Sequence, residues 1–149
     1  MDIAALVTWL ITALGGFYLL GTWIARGGVR QQRTGTTRFP APVIFGHFLL
    51  AAAGLVVWIV YVIVDKTALA WIAFALLVPV ALLGFTMLAR WIPVYRARAT
   101  RLGPGTAAAT ELVAPAERNF PVAVVAGHGL FAVVTVVLVL LTALGVGGS

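Results

Sequence analysis

The sequence predicts an all-α membrane protein: a four-transmembrane-helix, up-down bundle made of two parallel helical-hairpin repeats. Three observations lead to this fold class. The 149 residues are 62% hydrophobic and only 9% charged, whereas a soluble domain carries about 25% charged residues. Four uninterrupted apolar stretches are separated by charged connections, and one nine-residue motif occurs twice. Because so few polar side chains cannot cover a water-facing surface, the lipid bilayer is the expected surrounding of a single integral membrane domain, residues 1–149.

Each apolar stretch is long enough to cross a bilayer as a helix, which takes about 20 residues. None of them contains a charged side chain. Lipid offers no partner for open backbone groups, so a helix is the expected conformation. The first stretch lacks the basic start of a signal peptide and is followed by Arg26 and Arg30, so we predict that it is retained. The predicted spans are residues 3–25, 43–64, 67–89 and 122–144.

Basic residues are concentrated in the first and third connections, residues 26–42 and 90–121. The second connection has only Asp65 and Lys66. The positive-inside rule therefore places both arginine-rich connections in the cytoplasm and both termini outside. Nine of the ten basic residues are Arg, and Ala, Val and Gly are abundant, which is typical of a GC-rich bacterium. We therefore predict a multi-pass protein of the plasma (inner) membrane. The charged residues of the third connection are Arg90, Arg96, Arg98, Arg101, Glu111, Glu117 and Arg118.

A repeated motif defines the internal duplication. FPAPVIFGH (Phe39–His47) and FPVAVVAGH (Phe120–His128) share the pattern F-P-x-x-V-x-x-G-H. The spans that precede them end in similar runs, LLGTWIAR and LLGFTMLAR. We predict two repeats, residues 3–66 and 67–146. Since each repeat has two crossings, both copies insert with the same orientation and are related by a pseudo-two-fold axis along the membrane normal.

The only two histidines of the chain, His47 and His128, end the two copies of the motif. In an up-down bundle the second and fourth helices lie on a diagonal. Each histidine is seven residues past a proline, so at 1.5 Å per residue both imidazoles are expected about 10 Å inside the helix entrance. Two imidazoles that face each other at one depth form a pair of axial ligands, which suits haem iron. We predict one haem b per chain.

Further residues are candidates for contact with this haem. Gly46 and Gly127 precede the histidines and remove a side chain where the macrocycle would press. Small residues on the faces of the histidines leave room for a flat cofactor, and arginines at the helix entries are suited to pair with its propionates. Glycines of the intervening spans are candidates for contact with its edges. These additional residues are Ala51, Gly54, Ala132 and Thr135; Arg38 and Arg118; and Gly15, Gly16 and Gly84.

Paired histidines on alternate helices of a small bundle, flanked by glycine, resemble transmembrane b-type cytochromes, including the haem-bearing membrane anchors of respiratory complexes. The resemblance covers the second and fourth spans. It implies a bis-histidyl haem and electron transfer, with a quinone or a cytoplasmic redox partner. Those families often hold two haems, whereas this chain has histidines for one. The resemblance favours an electron carrier or haem-binding protein over a stand-alone enzyme.

Alternatives remain open at this stage. The first is an accessory or assembly subunit of a larger membrane complex, in which the histidines hydrogen-bond within the bundle and the third connection binds the partner. A homo-oligomer, haem sensing or handling, and another ligand or a proton role for the histidines are also open. A small transporter is a weaker hypothesis, because no span is broken and no charge lies at the midplane.

Several classes of site are excluded by the residue inventory. The absence of Cys excludes disulfides, iron–sulfur clusters, thiolate zinc sites and covalent c-type haem. Zinc requires three or four ligands, more than two histidines supply. We find no catalytic triad, phosphate loop or carboxylate dyad, so a hydrolase or kinase is not expected. The net charge of +6 is explained by membrane orientation rather than by nucleic acid.

Overall fold

A computed structural model of the protein describes residues 1–100 and 114–146. Within these residues the chain forms α-helices and one short 3-10 helix, and no strand. Arg101 and Glu111 of the third connection lie outside the described residues. The elements are α1 (Asp2–Ala25), α2 (Gly28–Thr34), α3 (Ala41–Val64), α4 (Thr67–Thr100), the 3-10 helix η1 (Ala116–Asn119) and α5 (Val122–Ala143).

Four of these helices are long and apolar enough to cross a membrane. The apolar segments are Asp2–Ala25, Ala41–Val64, Thr67–Arg98 and Val122–Ala143. Each contains one of the four predicted spans almost entirely. The structure thus confirms the all-helical class and the four apolar helices that the sequence predicts.

Helix α4 continues well past residue 89, where the sequence analysis ends the third span. It runs for 34 residues and reaches Thr100. The arginines that follow residue 89 end the apolar stretch, but Arg and Ala are good helix formers and do not end the helix. Pro79 and Pro93 lie inside α4, which membrane helices tolerate better than soluble ones do.

Helix α2 and the 3-10 helix η1 lie within segments that the sequence analysis describes only as connections. Gly27 and Gly35 flank α2 with φ of 82° and 67°, a left-handed backbone that glycine adopts without strain. Gly28 is buried against Trp23: a Cβ atom built on Gly28 would overlap the indole ring. Glycine is therefore required at position 28 if α2 is to lie on Trp23.

Two glutamine side chains tie α2 to the rest of the chain. The amide of Gln31 donates to the carbonyl of Ala114 at 3.0 Å and accepts from the N–H of Ala116 at 2.8 Å. The amide of Gln32 contacts the main chain of residues 39–41 in the same way, as donor and acceptor. Each side-chain amide thus takes the place of a backbone partner, and together they join the segments that lead into η1 and α3.

Helices α3 and α5 begin alike. Pro40 and Pro121 precede them with extended backbone, φ of −63° and −67°, and the fixed φ of proline suits this position. The preceding side chains, Phe39 and Phe120, are buried and contact each other, with ring centres 5.9 Å apart. The two copies of the motif therefore meet at their Phe-Pro ends.

The long helices pack mainly in two pairs, α3 with α4 and α1 with α5; α4 also contacts α5, and α1 contacts α3. The buried side chains form two clusters. The first, which we call the arginine-end cluster because arginines surround it, comprises Trp23, Phe39, Ile44, Trp91, Ala116 and Phe120. The second, the far cluster, comprises Ala5, Trp9, Trp58, Tyr61, Ala70, Ala73, Leu77, Val139 and Ala143.

Candidate cofactor site

His47 is the seventh residue of α3 and contacts the main chain of α4. Its Nδ1 lies 2.9 Å from the carbonyl oxygen of Val80. A carbonyl oxygen can only accept, so Nδ1 carries the proton and donates it, and Nε2 of the neutral ring keeps its lone pair. One turn further along α4, a Cβ on Gly84 would lie 3.3 Å from Cε1 of His47. The ring therefore packs directly on the backbone of α4.

His128 is the seventh residue of α5 and has the same environment on α1. Its Nδ1 donates to the carbonyl oxygen of Thr12 at 2.9 Å. A Cβ on Gly16, one turn further along α1, would lie 3.1 Å from Cε1 of His128, and a Cβ on Gly15 would lie 3.4 Å from its Cβ. We call each combination of carbonyl and glycine a histidine seat.

In both seats the Nδ1 and Cε1 atoms face the neighbouring helix. Gly16 and Gly84, which the sequence analysis assigns to the edges of a haem, instead make room for the imidazole rings. Fixing Nδ1–H on a backbone carbonyl sets both the tautomer and the orientation of an imidazole, as metal-binding histidines in proteins require. The lone pair of each Nε2 is thereby left available for a further partner.

The structure brings the two imidazoles together. Their ring centres are 6.2 Å apart and their planes are tilted by 58°, so the rings are not stacked face to face. A direct hydrogen bond needs about 3 Å between the nitrogens and, with about 1.2 Å from each nitrogen to its ring centre, at most about 5.4 Å between centres. The observed separation is too large for such a bond.

The separation fits an atom placed between the two rings. A metal ion bound by both nitrogens at about 2 Å allows up to about 6.4 Å between ring centres, close to the observed 6.2 Å. A water molecule that donates one hydrogen bond to each nitrogen also fits this range. Within the described residues no group of three or more His, Cys, Asp or Glu side chains could hold a metal ion. The imidazole pair supplies two nitrogen ligands, so a metal ion held between the rings would take its remaining ligands from another group.

The histidines lie between the two buried clusters. Three residues before His47, Ile44 belongs to the arginine-end cluster, and seven residues after it, Gly54 contacts Trp9 of the far cluster. Both imidazole-bearing residues are only half-buried. The layer that contains them thus lies between two sets of packed side chains.

The glycines that precede the histidines have few neighbours. A Cβ on Gly46 would make an ordinary contact of 3.8 Å with Leu83, and a Cβ on Gly127 would meet nothing within 4 Å. Both positions thus leave space beside the imidazoles. No contact within residues 1–100 and 114–146 requires glycine at position 127.

Four small residues predicted to leave room for the cofactor follow the histidines by one and two turns. Ala51 and Ala132, one turn on, are half-buried. At two turns, the space beside Gly54 is taken by the ring of Trp9, 3.0 Å from the position of a Cβ. Thr135 is buried, and its hydroxyl donates to Thr8 at 3.0 Å.

Arg38 and Arg118, the predicted propionate partners, are held at the arginine end by their main chains. The carbonyl of Arg38 accepts from the guanidinium of Arg90 at 3.0 Å, and that of Arg118 accepts from Arg98 at 3.4 Å. The side chain of Arg38 is exposed and that of Arg118 is partly buried. The structure thus places one arginine beside each Phe-Pro entry.

Glu117 is a buried residue whose importance the sequence analysis misses. It is 0% exposed, and its carboxylate accepts from the hydroxyl of Thr37 at 2.8 Å and from the N–H of Arg38 at 2.6 Å. The indole of Trp91 donates to its carbonyl, and the indole of Trp23 donates to Thr37. In the sequence Glu117 lies in the arginine-rich third connection, where an acidic residue is expected to balance positive charge at the surface. No feature of the sequence predicts that it is buried.

Comparison with known protein families, with curated proteins and with solved structures found no match.

Proposed function

We propose that the protein binds one haem b between α3 and α5, with His47 and His128 as axial ligands, and that it transfers electrons in the membrane. The observation that carries the proposal is the imidazole pair itself. The ring centres are 6.2 Å apart, and both Nδ1 atoms are engaged by backbone carbonyls. This combination leaves the Nε2 lone pair free on each of two oriented rings, whose centres are at a separation that one iron atom can span.

The residues of the chain have separate parts in this proposal. When bound, haem supplies the one-electron chemistry of its iron. The carbonyls of Thr12 and Val80 orient the imidazoles, and Gly16 and Gly84 let them approach the neighbouring helices. The two buried clusters exclude water from either side of the layer. Gly46, Gly127, Ala51 and Ala132 leave space beside the rings, and Arg38 and Arg118 are the proposed partners of the propionates.

The proposed architecture is an up-down bundle of two parallel hairpin repeats. The two histidine seats support this arrangement, because the histidine of each repeat is held by the first long helix of the other repeat. We further propose that both termini lie outside and that the arginine end faces the cytoplasm, as the positive-inside rule predicts. The haem then lies nearer the cytoplasmic side, where a quinone or a cytoplasmic protein is the proposed redox partner.

The test is the absorption spectrum of the purified protein. Protein produced in haem-replete bacterial cells should carry one haem per chain, with a low-spin b-type spectrum that changes when dithionite is added. Pyridine haemochrome analysis identifies the haem and gives its stoichiometry. A colourless, monodisperse preparation from haem-replete cells that also binds no added haemin would refute the proposal.

One observation favours a second function, that of an accessory membrane subunit. Each imidazole already joins two helices through its hydrogen bond to a carbonyl, which is how structural histidines stabilise membrane bundles. In this case a water molecule lies between the rings and α2 with η1 forms the surface that binds a partner. Colourless but folded protein, together with loss of a copurifying subunit when Gln31 is replaced by Ala, would support it.

A further inference from the structure

Two arginines of α4 are anchored on the main chain at the arginine end. Arg90 donates to the carbonyl of Arg38 at 3.0 Å, and Arg98 donates to the carbonyl of Arg118 at 3.4 Å. A guanidinium has five N–H donors in a rigid fork, so one hydrogen bond fixes its position and leaves donors for another acceptor. Anchored arginines are better prepared to bind an anion than ones that move freely in solvent.

Among the described residues of the arginine end, the one acidic side chain does not reach the surface. Glu117 is fully buried with both carboxylate oxygens directed to donors inside the protein. Among the described residues, the other acids are Asp2 and Asp65, which lie at the far end of the helices. The surface around Arg90 is consequently basic, and its exposed charged residues are Arg26, Arg30, Arg33, Arg38, Arg90, Arg96 and Arg98.

At the depth of Arg90, α4 exposes apolar side chains on the side away from the arginine. Leu88 is 38% exposed, Ile92 is 37% exposed and Tyr95 is 42% exposed, and residues at these spacings from Arg90 do not share its face of the helix. At 1.5 Å per residue, Arg90 lies about 35 Å along α4 from Thr67, slightly more than the roughly 30 Å of the hydrocarbon core. Arg98 lies about 12 Å further out. Arg90 is therefore at the level of lipid phosphates, on a helix whose exposed apolar side is available to acyl chains at the same depth.

We propose that Arg90, anchored on Arg38, binds the phosphate of an anionic phospholipid. The exposed apolar side chains of α4 at this depth favour a lipid over an acidic protein, because a protein partner there would have to displace the bilayer. The site involves neither imidazole, and its contact with Arg38 is to the main-chain carbonyl rather than to the guanidinium proposed for the propionates, so loss of lipid binding and loss of haem binding are distinguishable.

The experiment compares lipids retained by the full chain in native mass spectrometry. Protein in mild detergent is titrated with phosphatidylglycerol or with phosphatidylcholine of the same acyl chains. We expect phosphatidylglycerol to be retained preferentially and Arg90→Gln to lower its affinity about fivefold, since an arginine near an anionic lipid surface contributes roughly 1 kcal/mol. Arg98→Gln and Arg30→Gln remove the same charge elsewhere and serve as matched controls, with smaller losses expected.

Three results would overturn the proposal. The first is equal retention of the two lipids, which would favour an acidic protein partner. The second is an equal loss for Arg90→Gln and both controls, which would show unspecific attraction to positive charge. The third is displacement of phosphatidylglycerol by millimolar inorganic phosphate, which would identify a site for free anions. Circular dichroism and size-exclusion chromatography of each variant confirm that it is folded, and the haem spectrum of Arg90→Gln should be unchanged.

Discussion

The two histidine seats are built alike, but the side chains beyond them differ. In each, a carbonyl takes the Nδ1 proton at 2.9 Å and a glycine one turn further accommodates Cε1. Beyond the seats the contacts of α3 and α5 differ. Two turns past His128, the hydroxyls of Thr135 and Thr8 are hydrogen-bonded between α5 and α1, whereas two turns past His47 the ring of Trp9, also from α1, packs on Gly54 of α3.

This difference distinguishes the groups that orient the imidazoles from the side chains that only pack between the helices. Backbone carbonyl and glycine occur in both seats, while the neighbouring side chains are polar in one and aromatic in the other. We infer that the orientation of the imidazoles depends on backbone geometry and on small residues, and that packing beyond the seats contributes to stability alone. Four predictions test this comparison.

The largest effect is expected from removing either imidazole. If both seats serve one haem, His47→Ala and His128→Ala should each abolish the low-spin spectrum, because six-coordinate iron needs both ligands. The measurement is the reduced-minus-oxidised absorption spectrum of each purified variant at equal protein concentration. A variant that keeps the parent spectrum would show that its histidine is not a ligand and would break the equivalence of the seats.

The glycines of the seats come next. Gly16→Ala places a Cβ 3.1 Å from His128, and Gly84→Ala places one 3.3 Å from His47. We expect haem affinity to fall about tenfold, corresponding to about 1.4 kcal/mol of overpacking, and somewhat more at position 16. Haemin titration of the haem-free variants measures this affinity.

Gly21→Ala is the matched control for the seat glycines. Position 21 also lies in α1, and a Cβ there meets nothing within 4 Å. It should retain the affinity of the parent protein. If Gly16→Ala and Gly21→Ala bind haemin equally well, the close approach of ring to backbone has no part in binding.

The glycines before the histidines test where a macrocycle would lie. Without haem, Gly127→Ala should stabilise the protein by up to about 1 kcal/mol, because alanine is the better helix former and position 127 is open. With haem, the same methyl group should lower affinity about fivefold. Thermal unfolding with and without haemin measures both effects.

Two further variants complete this comparison. Gly46→Ala should lower haem affinity by a similar amount, although Leu83 lies 3.8 Å from the new Cβ. Gly129→Ala, also in open space, should leave haem affinity unchanged. If Gly127→Ala raises stability equally in the presence and absence of haemin, a macrocycle does not lie against position 127.

The smallest effect concerns the packing beyond the seats. Thr135→Val removes the hydrogen bond to Thr8 between α5 and α1, and interhelical hydrogen bonds in membranes contribute about 0.6 kcal/mol on average. We expect a loss of stability of that order and an unchanged haem spectrum. Reversible unfolding in mixed micelles measures the loss.

Thr142→Val is the matched control for Thr135→Val, on the same helix. The hydroxyl of Thr142 is buried and has no hydrogen-bond partner in the part of the chain that the structure describes. Removing an unsatisfied buried hydroxyl should be neutral or stabilising. A spectral change in Thr135→Val would contradict the inferred division between orientation and packing.

The sequence predicts the four long helices because each depends on a property of the chain alone, an uninterrupted apolar run in a lipid-compatible length. Helix α2 and η1 depend instead on tertiary contacts. Gln31 binds main-chain groups of Ala114 and Ala116, far along the chain, and Gln32 binds the segment that leads into α3. Gly28 fits only because it has no side chain to meet Trp23. Segments as short as α2 and η1, of seven and four residues, are too short for a hydrophobic periodicity to predict such contacts.

The site is predictable in part for the same reason. The pairing of His47 with His128 is expected from the repeated motif, and the structure places the rings together. Their acceptors are main-chain carbonyls, which leave no trace in the side-chain sequence. The similar LLG runs would match Gly21 with Gly84, yet Gly15 and Gly16 are the glycines of α1 that contact His128. The contacting glycine depends on how α1 is rotated about its axis, which the sequence alone does not show.

Because both acceptors belong to the polypeptide backbone, residues 12 and 80 can change identity without losing them. Thr12 and Val80, which differ in their side chains, already provide equivalent acceptors. Replacement of either by another non-proline residue of similar size should leave the donor–acceptor distance intact, so mutational scanning would report these positions as tolerant. A shift or a rotation of a whole helix would disconnect an imidazole, and insertions in α1 or α4 should consequently be far more damaging than exchanges of the side chains at positions 12 and 80.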